Sequence, residues 1–345
     1  MKVLVTGGTG FIGSHTCIEL LVEGHTVTIL DNLSNSSPEV LARIARITGS
    51  CPEFYQLDVR DVLGLEQLFA KQSFDALLHF AGVKAVAESV AEPFKYYSNN
   101  VRGSIALFDV AVRYGVCRLV FSSSAAVYGE TTRSPIGEDA LIIPANPYGW
   151  SKHMVEEVLA NLCLANPWLR AVALRYFNPV GAHSSGLVGE VPGGIPDNLM
   201  PYICQVAIGT LPELTIFGND YPTPDGTAIR DYVHVVDLAQ GHIKALDYLE
   251  RESGMHVINL GTGQGTSVLE MLSAFERVND VIITRRFGAR RLGDTTETYA
   301  DVALAAKQLS WHTRLSLEDM CRDAWHWQNM NPAGYAKCAN GDYGI

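Results

Sequence analysis

Tyr148 and Lys152 lie four residues apart in the string NPYGWSKHMVEEVL, which reads as the opening of a helix and sets both side chains on one face. A lysine ammonium beside a phenol favours the phenolate. The pair therefore predicts a tyrosine pulled down from about 10 towards neutrality, fit to serve as a general base. Such a spacing also occurs on ordinary helix surfaces, so its meaning depends on what stands opposite. Ser122, Ser123 and Ser124 end a predicted strand at the carboxyl edge of a sheet, where open α/β sheets place their ligands, and one of these hydroxyls is placed to share the proton.

A second group suits a dinucleotide. The strand KVLVT runs straight into GGTGFIG, which puts Gly7, Gly10 and Gly13 at the start of the first helix. Glycine fits a turn of positive φ and lets a pyrophosphate reach the helix N-terminal N–H groups; a plain tight turn is the alternative use. Asp31 ends the second strand, where a carboxylate accepts from an adenosine ribose or, more simply, caps a turn. An acid there repels a ribose phosphate, and Asn32, Leu33 and Ser34 supply no arginine, so the cofactor expected is NAD rather than NADP. Asp58 ends the third strand, facing an adenine amino group or capping the helix from Asp61. Phe80, Ala81 and Gly82 after the fourth strand, and Asn99 in NNVRG, stand where they line a cofactor or simply make a turn.

These positions need a scaffold, and the first half of the chain supplies one. Short β-branched runs near 2–6, 26–30, 53–57, 74–79, 117–122 and 170–175 alternate with helical stretches near 11–23, 38–48, 61–71, 93–114 and 148–166. That rhythm predicts an α/β fold with a Rossmann-type, doubly wound parallel sheet. After about residue 176 come Pro/Gly-rich segments, short strands near 214–217, 256–260 and 281–284, and a few helices, read as a smaller C-terminal α/β substrate lobe. The expected division is 1–176 for cofactor and 177–345 for substrate, with a segment near 230–255 returning to the first lobe.

The 345 residues suffice for a large core, and 47% hydrophobic with 18% charged residues fits a globular enzyme. A net charge of −11 with no Lys/Arg run argues against nucleic acid. Seven cysteines at wide spacings, without a C-x-x-C pair, read as reduced thiols. The start lacks a signal peptide's pattern and no apolar run approaches a membrane span, so a cytoplasmic protein with no membrane partner is expected. No metal is expected either, because the ten histidines are dispersed and His79 and His234 read as structural residues.

The combination of GGTGFIG, Asp31, SSSAAVYG, YGWSK, YFNPVGAH and RDYVHVVDLA resembles the extended short-chain dehydrogenase/reductase family, most closely its UDP-hexose 4-epimerase branch. The likeness runs from Met1 to about Tyr335 and includes IFGNDYPTPDGTAIRDYVHV. It implies Tyr148 as base, Lys152 as the residue that holds the nicotinamide ribose and tunes Tyr148, and Ser124 as partner of the reacting hydroxyl. The implied NAD contacts are Gly7, Gly10, Phe11, Ile12, Gly13, Asp31, Asn32, Asp58, Val59, Phe80, Ala81, Lys84, Asn99, Ser122 and Tyr176. For a UDP-sugar they are Asn178 and Arg230 at the diphosphate, Asn198 and Leu199 along the nucleotide, Phe217 near the uracil, and Arg291 and Asp294 over the phosphates and ribose. Tyr232 and Thr298 complete the implied substrate set.

The reaction implied is oxidation at carbon 4 to a 4-ketose, turning of the sugar, and return of the hydride to the other face. A homodimer paired through 93–114 and 148–166 is implied as well. A 4,6-dehydratase would need an Asp-Glu pair where Ala125 and Ala126 stand, and a non-catalytic NAD-sensing module would not need Tyr148, Lys152 and Ser124 together. Glucose-restricted members carry Pro after the arginine and Tyr four residues past the Asp. Leu292 and Thr298 replace these here, which implies room for UDP-GlcNAc and UDP-GalNAc beside UDP-glucose and UDP-galactose.

Overall fold

In the computed structural model, which describes residues 1–129, 133–291 and 294–335, the apolar strands of the first half form the middle of the molecule. They are β1 (Lys2–Thr6), β2 (Thr26–Asp31), β3 (Glu53–Gln56), β4 (Ala76–His79), β5 (Arg118–Ser124) and β6 (Arg170–Tyr176). Their neighbours in chain order are α1 (Phe11–Val22), α2 (Glu39–Thr48), α3 (Val62–Lys71), α4 (Val86–Ala91), α5 (Pro93–Tyr96), α6 (Gly103–Arg113) and α7 (Pro147–Ala165). Val3, Leu4, Val5, Leu77 and Leu78 are fully buried, because a parallel strand with helices on both sides of the sheet has no wet face.

Beyond these come β7 (Asn178–Val180), α8 (Leu199–Ala207), β8 (Leu214–Phe217), β9 (Ile229–Arg230), β10 (Tyr232–His234), α9 (Val235–Leu249), β11 (Gly254–Leu260), β12 (Thr266–Ser267) and α10 (Val268–Asn279). The described chain continues through β13 (Arg285–Gly288), β14 (Glu297–Thr298), α11 (Ala303–Leu309) and α12 (Leu317–Met330). The central sheet has the order β11-β6-β5-β4-β1-β2-β3 and every pairing in it is parallel. The chain leaves β1 in one direction and returns at β4 on its other side, which opens a crevice above their carboxyl ends.

Three expectations change. The strand expected near 256–260 in the second lobe is β11, paired with β6 along its whole length at the edge of the central sheet. Its place follows from α9, which packs against α1 and carries the chain back. The strand expected at 281–284 lies at Arg285–Gly288, paired with β8. Asp280 ends α10 in the left-handed region, and Glu276 then holds the β-branched run as a helix exit: its carbonyl accepts from Val281 N and its Oε1 from Ile283 N at 2.9 Å. The single helix expected over 93–114 is α5 and α6 joined by a π turn, Tyr97–Arg102. Within that turn the Asn100 amide exchanges hydrogen bonds with both backbone groups of Val83 and donates to Ser151 Oγ, an inward aim the wider turn permits.

The remaining small sheets are β7 with β10, β8 with β13, and β12-β9-β14. β7, β10 and β8 share an apolar core with α8, α10 and α12, in which Met271, Phe275, Ile203 and Cys321 are fully buried. Ser267 with Glu270 and Ser316 with Asp319 form capping boxes that start α10 and α12. Among the described residues no helix is long and apolar enough to cross a membrane. Leu292 and Cys338 lie outside the described residues.

Candidate active site

The turn after β1 is as tight as its glycines require. Gly7 takes φ of 71°, and a Cβ there would meet Ala81 N at 2.6 Å. At Gly13 a Cβ would strike Gly7 O at 2.2 Å, whereas at Gly10 the sole atom within 4 Å is Gly7 O at 3.2 Å. The glycines thus close the turn on itself and leave open space above Gly10. No side chain caps α1 and no acid sits in its first turn, so the N–H groups of Phe11, Ile12 and Gly13 face that space with the positive end of the helix dipole. This fits the pyrophosphate of NAD.

Asp31 is buried at the end of β2. It accepts from Thr9 N at 3.2 Å, Leu33 N at 2.9 Å and Ser36 Oγ at 3.1 Å, an arrangement that fixes its carboxylate beside the cradle. Asp58 meets Asn32 Nδ2 at 2.9 Å and is gripped in bidentate fashion by Arg60, which holds its carboxyl far below the usual range. The cap of α3 falls to Asp61 instead, whose carboxylate accepts from Gly64 N at 3.1 Å; the capping use of Asp58 is thereby corrected. Val59 is buried beneath Gly103, Phe80 packs 4.7 Å from the His242 ring, and Asn99 Nδ2 donates to Asn100 Oδ1 at 3.1 Å.

Asn146 caps α7 by accepting from Gly149 N at 2.9 Å, Pro147 fills the first position, and Tyr148 and Lys152 then point the same way. Lys152 Nζ donates to the Ser122 carbonyl at 2.6 Å and lies 5.9 Å from the Tyr148 ring centre. Ser124 lies close enough to the Tyr148 phenol to favour its charged form, and Tyr96 meets its ring edge-on at 6.5 Å. Tyr176 is buried against His242, with the Ser122 side chain also in reach.

The electrostatics depart from the expectation. Burial raises the Tyr148 pKa, and the opposing influences come from Ser124 and Lys84 rather than Lys152. Burial also draws Lys152 down to about 8, against a charge from Glu156 that raises it. Helical spacing makes the two residues neighbours, but the protein surroundings penalise both charged forms at once.

Lys84, which follows β4, pairs with Glu190 Oε1 at 2.7 Å; the same oxygen accepts from Asn198 Nδ2 at 3.2 Å. The Lys84 side chain is about half exposed, and this ion pair holds its ammonium above its ordinary value. Leu199 opens α8 beside Asn198. Farther along, Asp294 takes Arg291 Nε at 2.9 Å and Arg230 Nη2 at 3.5 Å, so two guanidinium groups share one carboxylate and retain a positive charge for an anion. Arg291 also lies 5.1 Å over the half-exposed Phe217 ring. Tyr232 sits among these charges with its pKa raised to about 12, chiefly by burial, and pairs in register with Asn178. Thr298 pairs in register with Arg230 and bonds Thr295 through its hydroxyl at 2.7 Å.

The structure thus assembles one group around Tyr148, a second around Asp294, and a third of Lys84, Glu190 and Asn198. No hydrogen bond or ion pair among the described residues joins the first two groups directly, and none arranges three His, Cys, Asp or Glu side chains around a metal. Sequence reasoning missed Glu190, which lies in a Gly-rich stretch with no local signal. It also missed Asp231, whose buried carboxylate ties β9–β10 to Thr262, Gly263 and Ala300. It missed Glu156 as well, one further turn along the Tyr148–Lys152 face, although the four-residue spacing is a signal that could have found it.

Comparison with known proteins is consistent across sequence and structure. The profile of the NAD dependent epimerase/dehydratase family matches residues 3–261. A UDP-glucose 4-epimerase of Pasteurella multocida is 54% identical over 336 residues, 97% of this chain and 99% of the relative. The crystal structure of a UDP-glucose-4-epimerase from Stenotrophomonas maltophila, with bound NAD and formylated UDP-arabinopyranose, superposes with a TM-score of 0.94 at 50% identity, over 96% of this chain and 99% of that one. A Bifidobacterium longum UDP-glucose 4-epimerase in complex with NAD+ and UDP gives 0.93 at 48% identity, covering 97% and 100%.

Proposed function

This chain belongs to the NAD dependent epimerase/dehydratase family, and we propose that it is a UDP-hexose 4-epimerase that interconverts UDP-glucose and UDP-galactose with NAD in the cradle between β1 and α1. The observation that carries the reading is the meeting of Tyr148, Lys152 and Ser124 at the carboxyl edge of β5, beside the switch point of the sheet. When bound, NAD supplies the nicotinamide carbon that takes hydride from carbon 4 of the sugar and later returns it. Tyr148 Oη removes the proton of the 4-hydroxyl, Ser124 Oγ holds that hydroxyl in line, the Lys84 ammonium favours the phenolate, and Lys152, fixed on the Ser122 carbonyl, would hold the nicotinamide ribose. Burial opposes charge on Tyr148, so proton removal depends on Ser124 and on the Lys84 ammonium.

Arg230 and Arg291 hold the diphosphate while the 4-keto sugar turns to present its other face. Return of the hydride inverts carbon 4 with no net redox change, so NAD is a resident group and not a co-substrate. The test is direct: purified protein, with no cofactor added, should bring UDP-galactose and UDP-glucose to equilibrium, and the denatured protein should release NAD rather than NADP. Strict dependence on added NAD, or release of NADP, refutes the reading.

Two finer readings belong with it. Thr298 supports acceptance of UDP-GlcNAc and UDP-GalNAc: its hydroxyl bonds Thr295, and the Tyr299 ring packs over Gly265 as strand alternation requires, so neither places an aromatic ring at this wall. A homodimer is supported by Phe94 on α5, 87% exposed, and Leu164 on α7, 81% exposed, with Trp150 and Met154 on α7 and Ile105 on α6 also exposed in part. Apolar surface of that kind is characteristic of an interface.

A further inference from the structure

Beneath the reacting pair, Glu156 occupies the next turn of the same helix face and is 4% exposed. Its Oε1 accepts from Ser123 Oγ at 2.5 Å and Arg175 Nε at 2.9 Å, and its Oε2 accepts from Arg175 Nη2 at 2.7 Å. Ser123 stands between Ser122, whose carbonyl takes Lys152, and Ser124, whose hydroxyl meets Tyr148. Arg175 extends the network through its Nη1 to the Tyr128 hydroxyl at 3.1 Å, which donates to Asn259 Oδ1 at 2.6 Å. One carboxylate therefore ties α7 to the carboxyl ends of β5 and β6. Stability alone does not account for it, since apolar side chains of similar volume often replace a buried ion pair without loss.

We propose that Glu156 is a positioning residue for the epimerase reaction, one that locks the Ser122–Ser124 strand end against α7 and keeps Lys152 charged from one turn below. The groups facing Lys152 support this. Its own helix offers Tyr148 and Glu156, β5 offers the Ser122 carbonyl and the Phe121 ring at 4.9 Å, and β4 offers His79, which burial and Lys152 together hold neutral with a pKa of about 3. Arg175 on β6 acts on Lys152 through Glu156. Burial draws the Lys152 ammonium towards neutrality, and Glu156 is the charge that opposes it. Removal of the carboxylate takes away this support and exposes the Arg175 cation, and both changes lower the Lys152 pKa.

The inference rests on the proposed reading of Tyr148 and Lys152 as the reacting pair, and one assay separates the two. Turnover of UDP-galactose by the NAD-loaded protein is followed from about pH 6 to about pH 10 for wild type, E156Q and S123A. For E156Q the alkaline limb of kcat should fall at a pH lower by about one unit, with KM within about threefold of wild type. S123A breaks the strand tie but keeps the charge, so it should lower kcat about three- to tenfold without moving the limb. An E156Q profile scaled down equally at every pH overturns the proposal. Should E156Q not fold, S123A decides alone: wild-type kcat overturns the strut, and a reduced kcat with an unmoved limb supports it. Absence of turnover in wild type removes the epimerase reading itself.

Discussion

Replacement of Tyr148 by Phe separates the chemical role of the phenol from its role as a packed ring. The ring contacts survive: the edge-on approach to Tyr96 at 6.5 Å and the Lys152 ammonium at 5.9 Å both involve ring atoms. What disappears is the hydroxyl and its polar approach to Ser124, worth at most about 1 kcal/mol of stability. Tm should therefore fall by only a few degrees, roughly 2–4 °C per kcal/mol in a protein of this size class. The rate should behave differently. A positioned general base contributes about 10²–10⁴-fold, or roughly 3–5 kcal/mol of barrier. The assay is kcat and KM for UDP-galactose by nucleotide-sugar chromatography, with NAD content measured on the same sample. The expected result is a loss of at least about 100-fold in kcat with bound NAD retained and KM little changed. A loss smaller than about tenfold would falsify the assignment of Tyr148 as base.

Four further outcomes are expected. Thr298→Tyr should abolish epimerisation of UDP-GlcNAc and spare UDP-glucose; wild type inactive on UDP-GlcNAc at saturation shows the open wall to be wrong. Asp231→Ala orphans backbone N–H donors of Thr262, Gly263 and Ala300, so urea unfolding should show about 3–5 kcal/mol of lost stability, and a change below about 1 kcal/mol contradicts the clamp. Burial depresses His15, His79 and His242 to about 3, 3 and 4 in the folded chain, so the unfolded chain binds protons first as pH falls. Stability present above about pH 6.5 should then be lost by roughly 1.4 kcal/mol per histidine per pH unit, and urea midpoints that match at pH values of about 7.5 and 5.5 refute it. Leu164→Glu together with Phe94→Glu should shift the solution mass measured by light scattering from dimer to monomer, and a wild-type monomer contradicts the pairing.

Local chemistry was legible because it depends on residues close in sequence. The spacing of Gly7, Gly10 and Gly13 foretold a turn into which a Cβ does not fit, and the interval from Tyr148 to Lys152 foretold a shared helix face. The alternation of apolar strands and helices foretold the parallel sheet, since a strand buried on both faces has to be apolar throughout. By contrast, the run at 281–284 has every β-forming residue a strand wants, yet it leaves α10 as an exit because Glu276 captures its amides. Propensity is a weak force beside such contacts.

The tertiary structure decided whatever depends on distance in the chain and on the surrounding medium. Which sheet β11 joins was settled by the packing of α9 on α1, and no residue of β11 carries that instruction. Glu190 meets Lys84, and Arg175 meets Glu156, only because separate elements come together; the sequence shows the charges but not their partners. The same holds for acidity. The sequence placed a lysine beside a tyrosine and so implied a lowered phenol pKa. Folding buried Lys152 and partly buried Tyr148, and desolvation, which no spacing reports, raised Tyr148 and lowered Lys152 instead.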